Sequence, residues 1–202
     1  MKIFKRFQLI GTFVLRPSVL LLCLVSGIQI AGAKTEFTPV DRWYEVYLDG
    51  GKVGYFQDKM EKDGDVIKSW NEFVMQIKRA GQSIEITVVQ ETKEKISGEL
   101  IDFSTETKMA GIPMLKRGRV EGKELIVYEK QFITGKETRF PFDPEGGMSW
   151  GLRKQVLENG FQEAGKTYKL KVYSPDMGMK APVQAVIVCR GEKTMQIGKE
   201  KI

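Results

Sequence analysis

The chain of 202 residues contains no histidine and only two cysteines. The absence of histidine excludes a Ser-His-Asp triad, a Cys-His pair and a His-ligated zinc site. Cys23 lies near the amino end, and Cys189 lies in the apolar segment 183–189. If the amino-terminal segment is removed, one cysteine remains, and one cysteine forms no internal disulfide. Because no base is present to activate its thiol, we expect Cys189 to be a small core residue.

The same absences predict that the protein is not an enzyme and that it holds no catalytic residue, metal or cofactor. Residues 160–167 fit the P-loop spacing G-x-x-x-x-G-K-T, but here a helix is predicted before the loop and a strand after it, which reverses the required order. Residues 147–151 fit G-x-S-x-G, yet Ser149 has no base to activate it. An enzyme that uses only Asp, Glu, Lys or Tyr is left as an alternative.

Charge is nearly balanced outside the amino-terminal segment. Residues 1–33 hold four basic groups and no acidic group, so the other 169 residues hold 28 basic and 26 acidic groups, a net charge of +2. Domains that bind nucleic acids usually carry a clustered positive excess. The sequence therefore predicts no nucleic acid partner.

The amino-terminal segment has the order of a secretory signal peptide. Residues 1–18 are basic and mixed in character, an apolar stretch runs from Val19 to Ile30, and Ala31-Gly32-Ala33 has the small-x-small pattern of a cleavage site. The apolar stretch is shorter than the roughly 20 residues that a membrane span needs. We predict a signal helix at 1–33 that is cleaved after Ala33, a secreted or periplasmic protein, and no stable membrane span after cleavage; an uncleaved anchor is the alternative.

Short alternating segments that end at glycine dominate the rest of the chain. Alternation of apolar and polar residues is typical of half-buried strands, and Asp-Gly or Gly-Gly pairs between them favour tight hairpin turns. The predicted strands are 43–48, 53–62, 66–78, 83–92, 100–109, 114–120, 124–130 and 167–173.

One helix is predicted near 149–159. Ser149 is the expected N-cap, Leu152, Val156 and Leu157 form a one-sided stripe, and Asn159-Gly160 favours a left-handed stop. The fold class is therefore mainly β, an antiparallel meander of about ten strands forming a curved sheet or half-barrel, in a single domain at 34–202. Because the chain ends in a strand-like segment, we expect it to be a truncated or split part of a longer protein.

Aromatic residues are concentrated in the first three predicted strands, where they have two interpretations. Either they pack into the core, or some of them face a ligand or partner. For the second interpretation the candidate binding residues are Trp43, Tyr44, Tyr55, Trp70 and Phe73.

The first predicted hairpin carries a family resemblance. Residues 42–55, RWYEVYLDGGKVGY, resemble the first hairpin of a β-rich region at the amino end of secreted bacterial transglutaminase-like proteins. Residues 77–82, IKRAGQ, are similar to the second element of that region, and residues 118–125, GRVEGKEL, to a later turn. The papain-like catalytic domain of the family, with its Cys, His and Asp, would follow this region and has no counterpart in these 202 residues.

The resemblance implies a non-catalytic accessory domain that recognises a polypeptide or envelope component for a catalytic neighbour. An alternative hypothesis assumes the same arrangement of strands but gives the protein a different role. The predicted curved sheet is also similar to periplasmic carriers that shelter lipid chains, so the second hypothesis is a carrier of a lipid or another apolar ligand in the groove of the sheet.

Overall fold

Tight turns join successive strands along most of the chain. The computed structural model describes residues 4–8, 37–48, 50–79, 81–158, 165–188, 196–197 and 200–201. In chain order these form β1 (Phe4–Gln8), β2 (Val40–Leu48), β3 (Gly51–Asp63), β4 (Val66–Arg79), β5 (Gln82–Lys95), β6 (Leu100–Met109), β7 (Ile112–Glu121), β8 (Glu124–Gln131), β9 (Thr134–Pro141), α1 (Ser149–Glu158), β10 (Thr167–Ser174), β11 (Gly178–Val188), β12 (Gln196–Ile197) and β13 (Glu200–Lys201).

The strands β1 to β9 form one open sheet in chain order. Each pair from β2–β3 to β8–β9 is antiparallel, as are β10–β11, whereas β1 runs parallel to β2. Gly64 and Gly122 have φ values of 59° and 61° in two-residue turns, a conformation that favours glycine. The mainly β class, the antiparallel meander, the curved open sheet and, within the described ranges, one short helix are confirmed.

The predicted strands match β2 to β8 and β10, and the predicted helix matches α1 within one residue. The strand β9 was not predicted, because its residues are mostly polar and exposed. Of the predicted signal segment 1–33, the structure describes Phe4–Gln8, which is a strand and not part of a helix. Residues 9–36, Cys189 and most of the segment 160–167 lie outside the described residues.

The large sheet has two chemically different faces. Side chains alternate along each strand, so residues paired across neighbouring strands form rows on one face. We call the side on which α1 packs the helix face and the opposite side the open face. The helix α1 and the β10–β11 hairpin cover the end of the helix face near the β3–β4 turn, where Met60, Ile67 and Trp150 are buried together.

Two further clusters continue this core. One joins the sheet to the segment before α1 and to the hairpin, with Phe103, Val127, Met148 and Tyr173 fully buried. The other joins α1 to the hairpin through apolar side chains, namely Leu152, Val156, Tyr168, Leu170 and Val172. The core therefore lies under one half of the helix face and positions α1 against the sheet.

Candidate functional site

The start of α1 is held by one buried carboxylate on the sheet. Glu94 of β5 is fully buried, and its two oxygens accept hydrogen bonds from the backbone N–H groups of Met148 (2.8 Å), Trp150 (2.6 Å) and Gly151 (2.9 Å). These donors belong to the helix N-terminus, which otherwise leaves its first N–H groups unpaired and favours a negative charge. Burial raises the pKa of Glu94, and the three N–H groups oppose that rise. Glu94 therefore fixes where α1 begins.

The expectation that Ser149 caps the helix is wrong. The Ser149 hydroxyl donates to Asn71 Oδ1 (2.8 Å) and accepts from Gln90 Nε2 (3.2 Å), so it bonds to the sheet rather than to its own helix. Glu94 supplies the cap instead. This arrangement gives Ser149 a structural role, because its hydroxyl joins the start of α1 to β4 and β5.

A row of polar side chains crosses the helix face beneath α1. We call it the polar row, and it consists of Arg42, Asp58, Asn71, Gln90, Thr105, Lys116 and Glu129, paired in register from β2 to β8. The helix contacts it through Ser149, and the turn before β11 contacts it where Lys116 Nζ donates to the Pro175 carbonyl (2.5 Å). The polar row marks the border of the covered half of this face.

Asp58 is a buried carboxylate within the polar row. It is fully buried, and its Oδ1 accepts from Asn71 Nδ2 (3.0 Å), whereas Oδ2 has no hydrogen-bond partner among the residues that the structure describes. Burial raises the pKa of Asp58, and the nearby charge of Arg153 on α1, the Asn71 hydrogen bond and Arg42 oppose the rise. Burial likewise lowers the pKa of Arg153. A buried carboxylate with one unpaired oxygen destabilises the folded state at neutral pH.

Asp58 gives an expected pH dependence. Because burial raises the folded-state pKa of Asp58, the folded protein binds the Asp58 proton more tightly than the unfolded chain does. This proton binding stabilises the fold fully below the unfolded-state pKa of about 3.9, and the stabilisation is lost as the pH rises through the folded-state pKa. We expect the free energy of unfolding of the natural protein, relative to that of Asp58→Asn, to increase as the pH is lowered from neutral towards the unfolded-state pKa of about 3.9. Urea unfolding of both proteins at each pH measures this difference. A difference that stays constant, or that decreases, would contradict the prediction.

Beyond the polar row, the uncovered half of the helix face is apolar. Two rows of paired residues form what we call the apolar band, and its apolar members are Val46, Phe56, Phe73, Met75, Ile86, Val88, Met109, Ile112 and Met114. Most are half-buried, while Met109 and Ile112 are 49% and 43% exposed at the β6–β7 hairpin. At the inner border the rings of Tyr44 and Phe56 contact each other at an interplanar angle of 31°, with centroids 5.7 Å apart.

The five aromatic residues proposed from the sequence divide between the two faces. Phe73 lies in the apolar band, and Tyr44, which is buried, lies beside it on the same face. Trp43, Tyr55 and Trp70 lie on the open face, where the rings of Trp43 and Tyr55 contact each other with centroids 5.4 Å apart. The structure therefore places Tyr44 and Phe73 in the same row of the helix face, with Phe56 between them, and places the other three on the opposite face.

Trp70 lines a groove of about 780 Å³ on the open face. The groove, which we call the trough, lies between two neighbouring rows of side chains that cross the sheet. The first row is Lys59, Trp70, Glu91, Ser104, Arg117, Tyr128 and Glu137, one residue from each strand from β3 to β9. The second row is Glu61, Lys68, Lys93, Asp102 and Arg119. The backbone of the row between them, from Ser69 to Gly118, forms the floor.

Sequence reasoning missed Glu94, the polar row and the trough. The sequence did contain an indication of Glu94. It lies an even number of residues from Ile84, Ile86 and Val88, so it falls on the apolar face of β5. The sequence contained no indication of the polar row or the trough, because these depend on the register of the hairpins from β2 to β9.

Within the described residues no group of three or more Cys, Asp or Glu side chains is placed to hold a metal ion. No helix in that part of the chain is long and apolar enough to cross a membrane.

Comparison of the chain with protein-family models, with curated proteins and with solved structures finds no match in any of the three. The resemblance to the β-rich region of transglutaminase-like proteins therefore stays a prediction from the sequence.

Proposed function

We propose that the protein is a non-catalytic binding domain, secreted or periplasmic, that recognises a polypeptide partner through the apolar band. One observation carries the proposal: the band is a contiguous apolar surface beside a fully packed core. It extends over β2 to β7, about 24 Å across the strands and about 13 Å along them, or roughly 300 Å². Exposed apolar patches of that size on soluble proteins commonly mark interaction sites.

The shape of the band favours a protein partner over a small ligand. Sites for small ligands enclose most of the ligand surface, whereas the band is a broad face of a sheet with its outer members Met109 and Ile112 almost half exposed. An apolar surface of this kind is typical of the centre of a protein interface, with charged residues at its rim. The family resemblance supplies the kind of partner: a papain-like catalytic domain for which this domain serves as an accessory.

The experiment begins with the DNA beyond the codon for Ile202 and with the neighbouring reading frames. A papain-like domain encoded there is purified and titrated by calorimetry with the protein as isolated from its host. We expect a dissociation constant in the micromolar range, typical of a small interface. Met109→Asp places a charge in the exposed part of the band, and we expect it to weaken binding by about tenfold or more.

The matched control is Val186→Asp, which changes an equally exposed apolar residue, 54% against 49%, on the β10–β11 hairpin outside the band. We expect it to bind like the natural protein. The proposal fails if no such domain is encoded nearby, or if the two variants bind with the same affinity.

A second candidate is a carrier of an amphiphilic ligand such as a fatty acid. The observation in its favour is that the polar row, with Arg42 and Lys116, adjoins the apolar band, so one surface offers charged groups beside aliphatic ones. Titration with the fluorescent fatty acid cis-parinaric acid tests it. Saturable binding that Met109→Asp abolishes, together with a lipid retained in native mass spectrometry, would favour the carrier over the protein-binding domain.

A further inference from the structure

The trough on the open face is elongated rather than compact. It crosses the strands from β3 to β9, a distance of about 29 Å, between two rows of side chains that stand about 7 Å apart. A groove with these proportions fits an extended chain molecule better than a globular ligand. It lies on the face opposite the apolar band, so it is independent of the function proposed above.

Two aromatic rings mark the length of the trough. Trp70 on β4 and Tyr128 on β8 belong to the same row, four strand spacings apart, or about 19 Å. Trp70 is half-buried and Tyr128 is 36% exposed, so both rings are held by the sheet while part of each remains accessible. Rings of this kind offer an apolar face together with a polar N–H or O–H group.

Between the rings lie Glu91 and Arg117, separated by Ser104. Both charged side chains are exposed, and neither forms an ion pair with another described residue, whereas Lys59, Lys93 and Arg119 are paired with Glu61 (2.7 Å), Asp102 (2.9 Å) and Glu121 (2.6 Å). A carboxylate accepts hydrogen bonds and a guanidinium donates up to five. The middle of the trough therefore offers a carboxylate that can accept hydrogen bonds and a guanidinium that can donate them, on either side of Ser104. This arrangement suits a ligand whose groups both donate and accept hydrogen bonds.

The charge of the trough excludes a polyanion as its preferred ligand. Five cationic and four anionic side chains line it, a net charge of about +1, whereas sites for nucleic acids and other polyanions carry a clear positive excess. An extended peptide is also disfavoured. Peptides that bind sheets as added strands pair with the backbone at an edge, and the floor of the trough is backbone already paired on both sides.

We infer that the trough binds an uncharged polysaccharide strand, with Trp70 and Tyr128 packing against the apolar faces of sugar rings and with Glu91 and Arg117 hydrogen-bonding to hydroxyl groups. Hydroxyl groups both donate and accept, which matches the unpaired carboxylate and guanidinium.

The test uses two uncharged hexasaccharides, cellohexaose and chitohexaose, titrated into the purified full chain and followed by calorimetry. We expect saturable binding of at least one of them. Trp70→Ala should weaken that binding by about tenfold or more, because truncation of an aromatic contact is among the most costly changes at binding surfaces. Arg117→Ala, at an exposed position where folding is not at risk, should weaken it as well.

Trp43→Ala is the matched control, because Trp43 lies on the same face in a row that does not line the trough. We expect it to bind the hexasaccharide like the natural protein. The inference is overturned if neither hexasaccharide binds, if Trp43→Ala and Arg117→Ala weaken binding equally, or if a heparin hexasaccharide or an uncharged Gly-Ser decapeptide binds more tightly than both probes.

Discussion

Replacement of Glu94 by alanine is expected to lower the free energy of unfolding by about 4 kcal/mol, one of the largest effects of any single substitution in the described part of the chain. The reason lies at the start of α1, where the Glu94 carboxylate accepts three backbone hydrogen bonds of 2.6–2.9 Å in a fully buried place. Alanine leaves those N–H groups without an acceptor and opens a cavity. Urea unfolding followed by circular dichroism measures the loss.

Two further variants distinguish the loss of the helix cap from a general effect of replacing a glutamate in β5. Glu94→Gln keeps one acceptor oxygen and places an amide N–H₂ against the other donors, so we expect about half the loss. Glu91→Ala changes an exposed glutamate on the same strand, and its effect should stay within about 0.5 kcal/mol. If Glu94→Ala unfolds at the same urea concentration as Glu91→Ala, the carboxylate does not hold the helix.

Gly151→Ala is expected to destabilise the protein by about 3 kcal/mol, although the same change inside an ordinary helix stabilises it by about 1 kcal/mol. Gly151 lies in the first turn of α1, where the helix backbone approaches the turn after β5. An added Cβ would lie 2.5 Å from the Gly98 carbonyl oxygen and 3.0 Å from Glu94 Oε1. The methyl group therefore pushes α1 away from its cap, and thermal or urea unfolding measures the cost.

The matched control for this prediction is Gly51→Ala at the start of β3. An added Cβ there meets only the Leu48 carbonyl oxygen at 3.6 Å, an ordinary contact, and Gly51 is not among the glycines with positive φ. We expect a change of less than about 1 kcal/mol. Stabilisation by Gly151→Ala would show that α1 does not approach the β5–β6 turn as closely as described.

The strands and turns of this protein are readable from its sequence because they depend on neighbouring residues. Alternation in segments such as 100–109, and a glycine where a turn needs positive φ, act over a few positions, and β6 has the predicted bounds. The strand β9 was missed for the same reason. Its residues are mostly exposed and polar, so it has no buried face to produce an alternating pattern.

The surfaces that carry the two proposals were predictable only in part. Alternation alone places the neighbours Trp43 and Tyr44 on opposite faces, and the structure has them so, but it does not say which face is covered. That depends on where α1 docks. The two aromatic rings of the trough, Trp70 and Tyr128, lie 58 positions apart in the chain, and placing them in one row needed the pairing of the five strands from β4 to β8.

The sequence by itself determined the mainly β class, most strands of the meander and the position of α1. The tertiary structure alone decided that Glu94 rather than Ser149 caps α1, through contacts with residues 54 or more positions away. It also decided which rows of side chains become the polar row, the apolar band and the trough. The physical reason is that local hydrogen bonding and alternation fix each strand, whereas a surface is made by register and packing summed over the whole sheet.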